Sequence, residues 1–105
     1  MPAPDALGQL LGLAARAGAL VPGTERVREA ARAGQLRFAI VAADASGNSR
    51  EKLVPLLEAR GIPYAVGPDR ADLGAAVGRP PLSAVGLTVA SFATRARQLA
   101  AGGGD

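Results

Sequence analysis

Residues Phe38 to Ala43 read FAIVAA, a run without one polar side chain. A strand with one wet face alternates apolar and polar residues, so an unbroken apolar run of strand length belongs to a strand covered on both faces. Such a strand lies inside a sheet with helices above and below it. The segment just before it reads as one of those helices. Pro22 and Gly23 break the chain, the Thr24 side chain can accept from the free N–H groups of a first turn, and Gly34 stands where a left-handed residue ends a helix. At about 100° per residue, Val27, Ala30 and Ala31 share a narrow face, while Glu25, Arg28, Glu29 and Arg32 crowd the opposite one.

The same alternation continues in both directions. Asp5 is placed to cap a first helix with Leu7, Leu10, Leu11 and Ala14 on its buried face and Gly18 as its stop, followed by a short edge strand at 19–21. Gly8 and Gly12 interrupt that helix. Each costs about 1 kcal/mol in an exposed helix, so the pair reads as a close approach to a neighbouring element. After FAIVAA, Asp44 and Ser46 open a turn, and a third helix turns Leu53, Leu56 and Leu57 inward and Arg50, Glu51, Lys52, Glu58 and Arg60 outward. Pro55 predicts a kink in it, or two short helices. Gly61 closes that unit, 62–66 is a second strand, and Asp69 caps a short helix ending at Gly78. Arg79, Pro80, Pro81 and Leu82 form a stiff loop, 84–89 is another strand, and Ser91 caps a last helix through Leu99. Strands alternating with helices predict a three-layer α/β/α sandwich around a mixed sheet of about four strands. The whole chain, 1–105, reads as one domain with an ordered core over 5–100 and a Gly-rich tail at 101–105.

Composition narrows the chemistry. The chain has no cysteine and no histidine, which removes disulfides, thiolate nucleophiles and the commonest general base and zinc ligands. No P-loop and no dinucleotide-binding glycine fingerprint occurs. The expectation is a protein that is not an enzyme and uses no cofactor or metal. No apolar run reaches the roughly 20 residues that span a bilayer, and the first residues, MPAPDALGQ, lack a basic stretch before an apolar one. The expectation is a cytoplasmic protein without a membrane partner, acting as a monomer. Every basic residue except Lys52 is arginine, for a net charge of +3. Arginine makes planar, multidentate contacts to phosphate and guanine. The same preference also follows from a GC-rich coding bias.

Four separated stretches, LLGLAARAGALVPG, AIVAADAS, GIPYAV and DLGAAVG followed by a Pro-rich loop, stand in an order that resembles the kink-turn-binding ribosomal-protein superfamily of the archaeal L-seven-Ae type. The likeness is greatest to its small bacterial YlxQ-like members and spans residues 7–100. It implies an α/β/α sandwich whose second helix enters the widened groove of a kinked RNA while the loop before the last strand closes over a flipped base. Structured RNA, ribosomal above all, is then the implied partner. The implied contacts are Gly23, Thr24, Glu25, Arg26 and Arg28 at the start of the second helix, and Arg79, Pro80, Pro81 and Leu82 in the loop. Arg32 on the same helix face is counted with them, Arg37 and Arg16 would add phosphate contacts, and Asp44 stands where family members present acidic residues near the RNA.

This chain departs from the family at the helix start. Where relatives carry Asn, Glu and, three positions on, Lys, it has Glu25, Arg26 and Glu29. A carboxylate at Glu29 repels phosphate, whereas Arg26 and Arg28 offer forked donors suited to guanine. Two readings stay open: an RNA-binding module, or a protein-interaction module in translation or ribosome assembly that kept the fold and lost the RNA contact. For the charged face, a simpler account is a solvated helix with Glu25–Arg28 and Glu29–Arg32 pairs. For Asp44 it is a turn residue or helix cap.

Overall fold

The computed structural model describes residues 5–102. The elements run α1 (Ala6–Arg16), β1 (Leu20–Pro22), α2 (Thr24–Arg32), β2 (Phe38–Val41), α3 (Gly47–Ala59), β3 (Tyr64–Val66), α4 (Arg70–Ala76), β4 (Ala84–Leu87) and α5 (Ala90–Gly102). The tail residues 103–105 lie outside the described residues.

The four strands form one mixed sheet in the order β1-β4-β2-β3, with β4 antiparallel to both β1 and β2 and β3 parallel to β2. All four residues of β2 are buried, as the apolar run demands of a strand flanked on both edges and both faces. Its side chains alternate between two cores. Phe38 and Ile40 pack with Leu11, Leu73 and Ala96 beneath α1, α4 and α5, whereas Ala39 and Val41 pack with Val27, Leu53 and Leu57 beneath α2 and α3. These are the three layers.

Glycines set the tightest contacts. Gly18 and Gly34 follow the last residues of α1 and α2 at φ near +73°, where a side chain is disfavoured. A Cβ on Gly12 would stand 2.9 Å from the Ala76 carbonyl oxygen, so this glycine does let α1 and α4 close on each other, whereas a Cβ on Gly8 would meet only Asp5 of its own helix.

Several local expectations are corrected. Asp5 is the N-cap of α1 but its side chain makes no capping bond. Thr24 is the first helical residue, and the N-cap is Gly23. The third helix is continuous through Pro55. Pro55 and Glu51 are both exposed, so the carbonyl that loses its partner at Pro55 faces water, which removes the reason for a break. The last helix starts at Ala90, with Ala93 N–H donating to the Val89 carbonyl, so Ser91 sits inside its first turn, and it runs on to Gly102.

Candidate functional site

The start of α2 has no capping side chain. Gly23 takes φ 95° and ψ 151°, a region essentially closed to residues with a Cβ, and its carbonyl accepts from Val27 N–H at 3.0 Å. The N–H groups of Thr24, Glu25 and Arg26 therefore have no partner among the described residues, and they point out of the helix tip with the positive end of its dipole. Gly23 N–H donates to the Ala84 carbonyl at 2.8 Å, which ties this tip to the start of β4. The residues that lead into β4 are those of the Pro-rich loop.

That loop is fastened to α4. Arg79 N–H donates to the Gly74 carbonyl at 2.8 Å and Leu82 N–H to the Arg70 carbonyl at 3.1 Å. Gly74 is buried, and a Cβ there would collide with the carbonyl oxygens of Pro80 and Arg79. Two capping carboxylates hold α4 in turn: Asp69 accepts from Asp72 N–H at 2.9 Å, and Asp44, reaching from the end of β2, accepts from Arg70 N–H at 2.7 Å. The Asp44 Oδ2 also lies 3.5 Å from Arg70 Nε. The Arg70 backbone N–H, the largest influence, holds the Asp44 carboxyl below its ordinary 3.8; partial desolvation opposes it next, and the Arg70 guanidinium adds smaller lowering effects. Asp44 is thus a helix cap, for a helix distant in sequence. On the other side of β2, Arg50 Nη2 donates to the Ala43 carbonyl at 2.7 Å, and Ala42 N–H bonds the Ser83 carbonyl at 2.8 Å.

One end of the sheet thus gathers Gly23, Thr24, Glu25, Arg26 and Arg28 of the helix start with Asp44 and the Arg79–Leu82 loop. Arg26 and Arg79 are exposed and make no ion pair among the described residues. Arg28 is engaged: its Nη1 donates to both carboxylate oxygens of Glu25 at 3.0 Å, while its Nε is buried without a partner. Of the two i to i+3 pairs expected on this face, Glu25–Arg28 forms and Glu29–Arg32 does not. Two expected residues lie elsewhere. Arg32 ends α2, about 12 Å along the helix axis from Thr24. Arg37 N–H bonds the Leu87 carbonyl at the opposite end of β2, about 13 Å from Val41.

Reasoning from sequence missed Arg50, Arg70 and Gly74. Arg50 was expected on an outward helix face, and its reach to Ala43 depends on how α3 follows β2. Gly74 carried the same signal as Gly12, a glycine inside a short helix where it costs stability unless a neighbour comes close.

The fold is an α/β/α sandwich with an uncapped helix tip beside a proline loop. The chain belongs to the ribosomal protein L7Ae/L30e/S12e/Gadd45 family, whose model matches residues 5–97. It is similar to a Bacillus halodurans protein of unknown function, with 33% identity over 92% of this chain and 98% of the other, and a TM-score of 0.88. A 15.5 kD RNA-binding protein of Giardia lamblia shares the fold at a TM-score of 0.74, with 20% identity over 93% of this chain and 83% of that one. No curated protein sequence matches. No helix of the described residues is long and apolar enough to cross a membrane.

Proposed function

We propose that this protein is a non-catalytic RNA-binding module that recognises a kinked, kink-turn-like RNA, ribosomal in origin, and works as a monomer in the cytoplasm. The observation that carries this reading is the bond from Gly23 N–H to the Ala84 carbonyl, which keeps the open tip of α2 beside the Arg79–Leu82 loop. Three free backbone donors at the tip suit a phosphate or a guanine edge. Arg26 and Arg79 supply unpaired guanidinium groups on either side, and Pro80 and Pro81 reduce the entropy lost when the loop closes on a base. Gly23, Thr24, Glu25, Arg26 and Arg28 form the groove contact in this reading, and Arg79 to Leu82 the clamp. Asp44 holds the clamp through Arg70, and Arg32 and Arg37 meet only RNA that extends past the kink. The family membership and the RNA-binding Giardia relative support the reading, and the joint order of LLGLAARAGALVPG, AIVAADAS, GIPYAV and DLGAAVG is our ground for kinship with YlxQ-like proteins.

The test is a gel-shift titration of a kink-turn stem against a matched uninterrupted duplex. Tighter binding to the kinked stem supports the proposal, and equal weak binding to both removes kink-turn recognition. The pairing of Arg28 with Glu25 favours a second reading, a protein-interaction module in translation or ribosome assembly, because it withdraws a cation from the groove. A ribosomal association that survives nuclease treatment, together with no preference for the kinked stem, selects that reading.

A further inference from the structure

A second surface lies on the far side of β2 from β4 and shares no residue with the α2 tip. Among the described residues β3 is an edge strand, paired only with β2. The Pro63 carbonyl accepts from Ala39 N–H at 3.2 Å, and Gly67 N–H donates to the Val41 carbonyl at 2.7 Å, so these residues direct their backbone groups toward β2. Backbone direction alternates along a strand. Tyr64 and Val66 therefore turn their N–H and C=O groups outward, and neither has a backbone partner on that side among the described residues. Val66 also leaves 54% of its surface exposed.

Beside this edge runs a groove of about 380 Å³ between β3 and the end of α5, floored by Phe38, Ile62, Pro63 and Ala65 and rimmed by Arg97. It continues past Arg97 into a smaller hollow of about 200 Å³ that reaches Arg37. Among the described residues no carboxylate lines either part, and Arg37 and Arg97 form no ion pair. Glu58 bonds the Tyr64 hydroxyl and is absent from the lining. An unpaired strand edge, an apolar trough and two unneutralised guanidinium groups are complementary to a peptide that supplies a strand, an apolar side chain and a carboxylate.

We propose that the open edge of β3 and the groove beside it bind an extended segment of a partner protein in which an acidic residue alternates with apolar ones. The backbone of the segment bonds Tyr64 and Val66, an apolar side chain enters the trough over Phe38 and Pro63, and the carboxylate meets Arg97. Nucleic acid satisfies the guanidinium groups but has no use for a strand edge, which is why the peptide is preferred.

The experiment pans a displayed library of short random peptides on the full chain and titrates the enriched peptides, made synthetically, into the wild type and variants. Enriched sequences should alternate apolar and acidic residues. Arg97→Glu should weaken their binding by about tenfold or more, the loss of one charge-assisted contact. Val66→Pro, which removes the outward N–H, should do the same, while Arg26→Ala should leave binding unchanged. Arg97 is exposed, so its variant reports even if Val66→Pro fails to fold. No enrichment, enrichment without acidic residues, or binding indifferent to Arg97→Glu overturns the proposal. So does poly-uridine binding that Arg97→Glu abolishes when no peptide binds.

Discussion

Gly74 lies directly beneath the Pro80 carbonyl, and the two backbones touch because α4 carries no side chain at that position. The stiff loop is therefore seated by a glycine from another element. Gly74→Ala must move either the loop or the helix, and overpacking of this kind costs about 1–3 kcal/mol. A urea titration should show that loss, and a gel shift should show weaker binding to a kinked stem although Gly74 itself meets no RNA. Gly47→Ala is the control. A Cβ there meets nothing within 4 Å and the backbone is helical, so stability should stay level or rise by about 0.4–1 kcal/mol.

Gly23→Ala tests the helix tip. With φ at 95° and ψ at 151°, the substitution should cost about 1–3 kcal/mol, read as a lower thermal midpoint. Relief of the strain would turn the tip away from Ala84, so RNA binding should fall more than stability alone accounts for.

Glu25→Gln should release Arg28. The guanidinium now held at 3.0 Å from the Glu25 carboxylate becomes available to phosphate, and one repulsive charge leaves the groove. RNA affinity should rise at low salt, and the slope of log K against log salt should steepen by about one unit. An unchanged slope would mean that Arg28 faces no phosphate.

Acid should loosen the loop through Asp44. Its carboxyl titrates below 3.8 in the fold, so on acidification the unfolded chain takes up the proton first. The carboxylate's contribution to stability is whole above that value and is lost as pH falls through the folded-state value. Urea titrations from neutral pH to about pH 3 should therefore show a smaller decline for Asp44→Asn than for the wild type.

Tyr64 is the only tyrosine, so phenolate absorbance reports it alone. Burial first, and the hydrogen bond and charge of Glu58 second, hold its hydroxyl above 10.0. Glu58→Gln should lower that midpoint without returning it fully to 10.0, since burial remains.

The layers were legible because each rests on a local pattern. Phe38 to Ala42 could be satisfied only by burial on both faces, although the strand itself stops at Val41 and Ala43 is exposed in the turn that follows, and Gly18, Gly34, Gly61 and Gly78 all take the positive φ that ends a helix. The candidate site was less legible because strand order and register assemble it. Arg37 stands one residue before β2 and reads like a neighbour of Asp44 along the chain, yet the length of the strand separates them. Asp44 caps a helix that begins 26 residues later, a partnership no spacing rule anticipates. Thr24 looked like the cap because threonine is a good one, but Gly23 had to take the strained conformation that swings the chain from β1 into α2.

The last strand is threaded between the first two. Among the described residues β1 finds its only strand partner in β4, and β4 also completes β2, so residues 20–22 have nothing to pair with until residues 84–87 are in place. Before β4 docks, the residues ahead of it can form helices and the β2–β3 pair, but not the β1-β4-β2 part of the sheet. The helix tip that bonds Ala84 is finished at the same moment, so one strand completes both the sheet and the entry into α2.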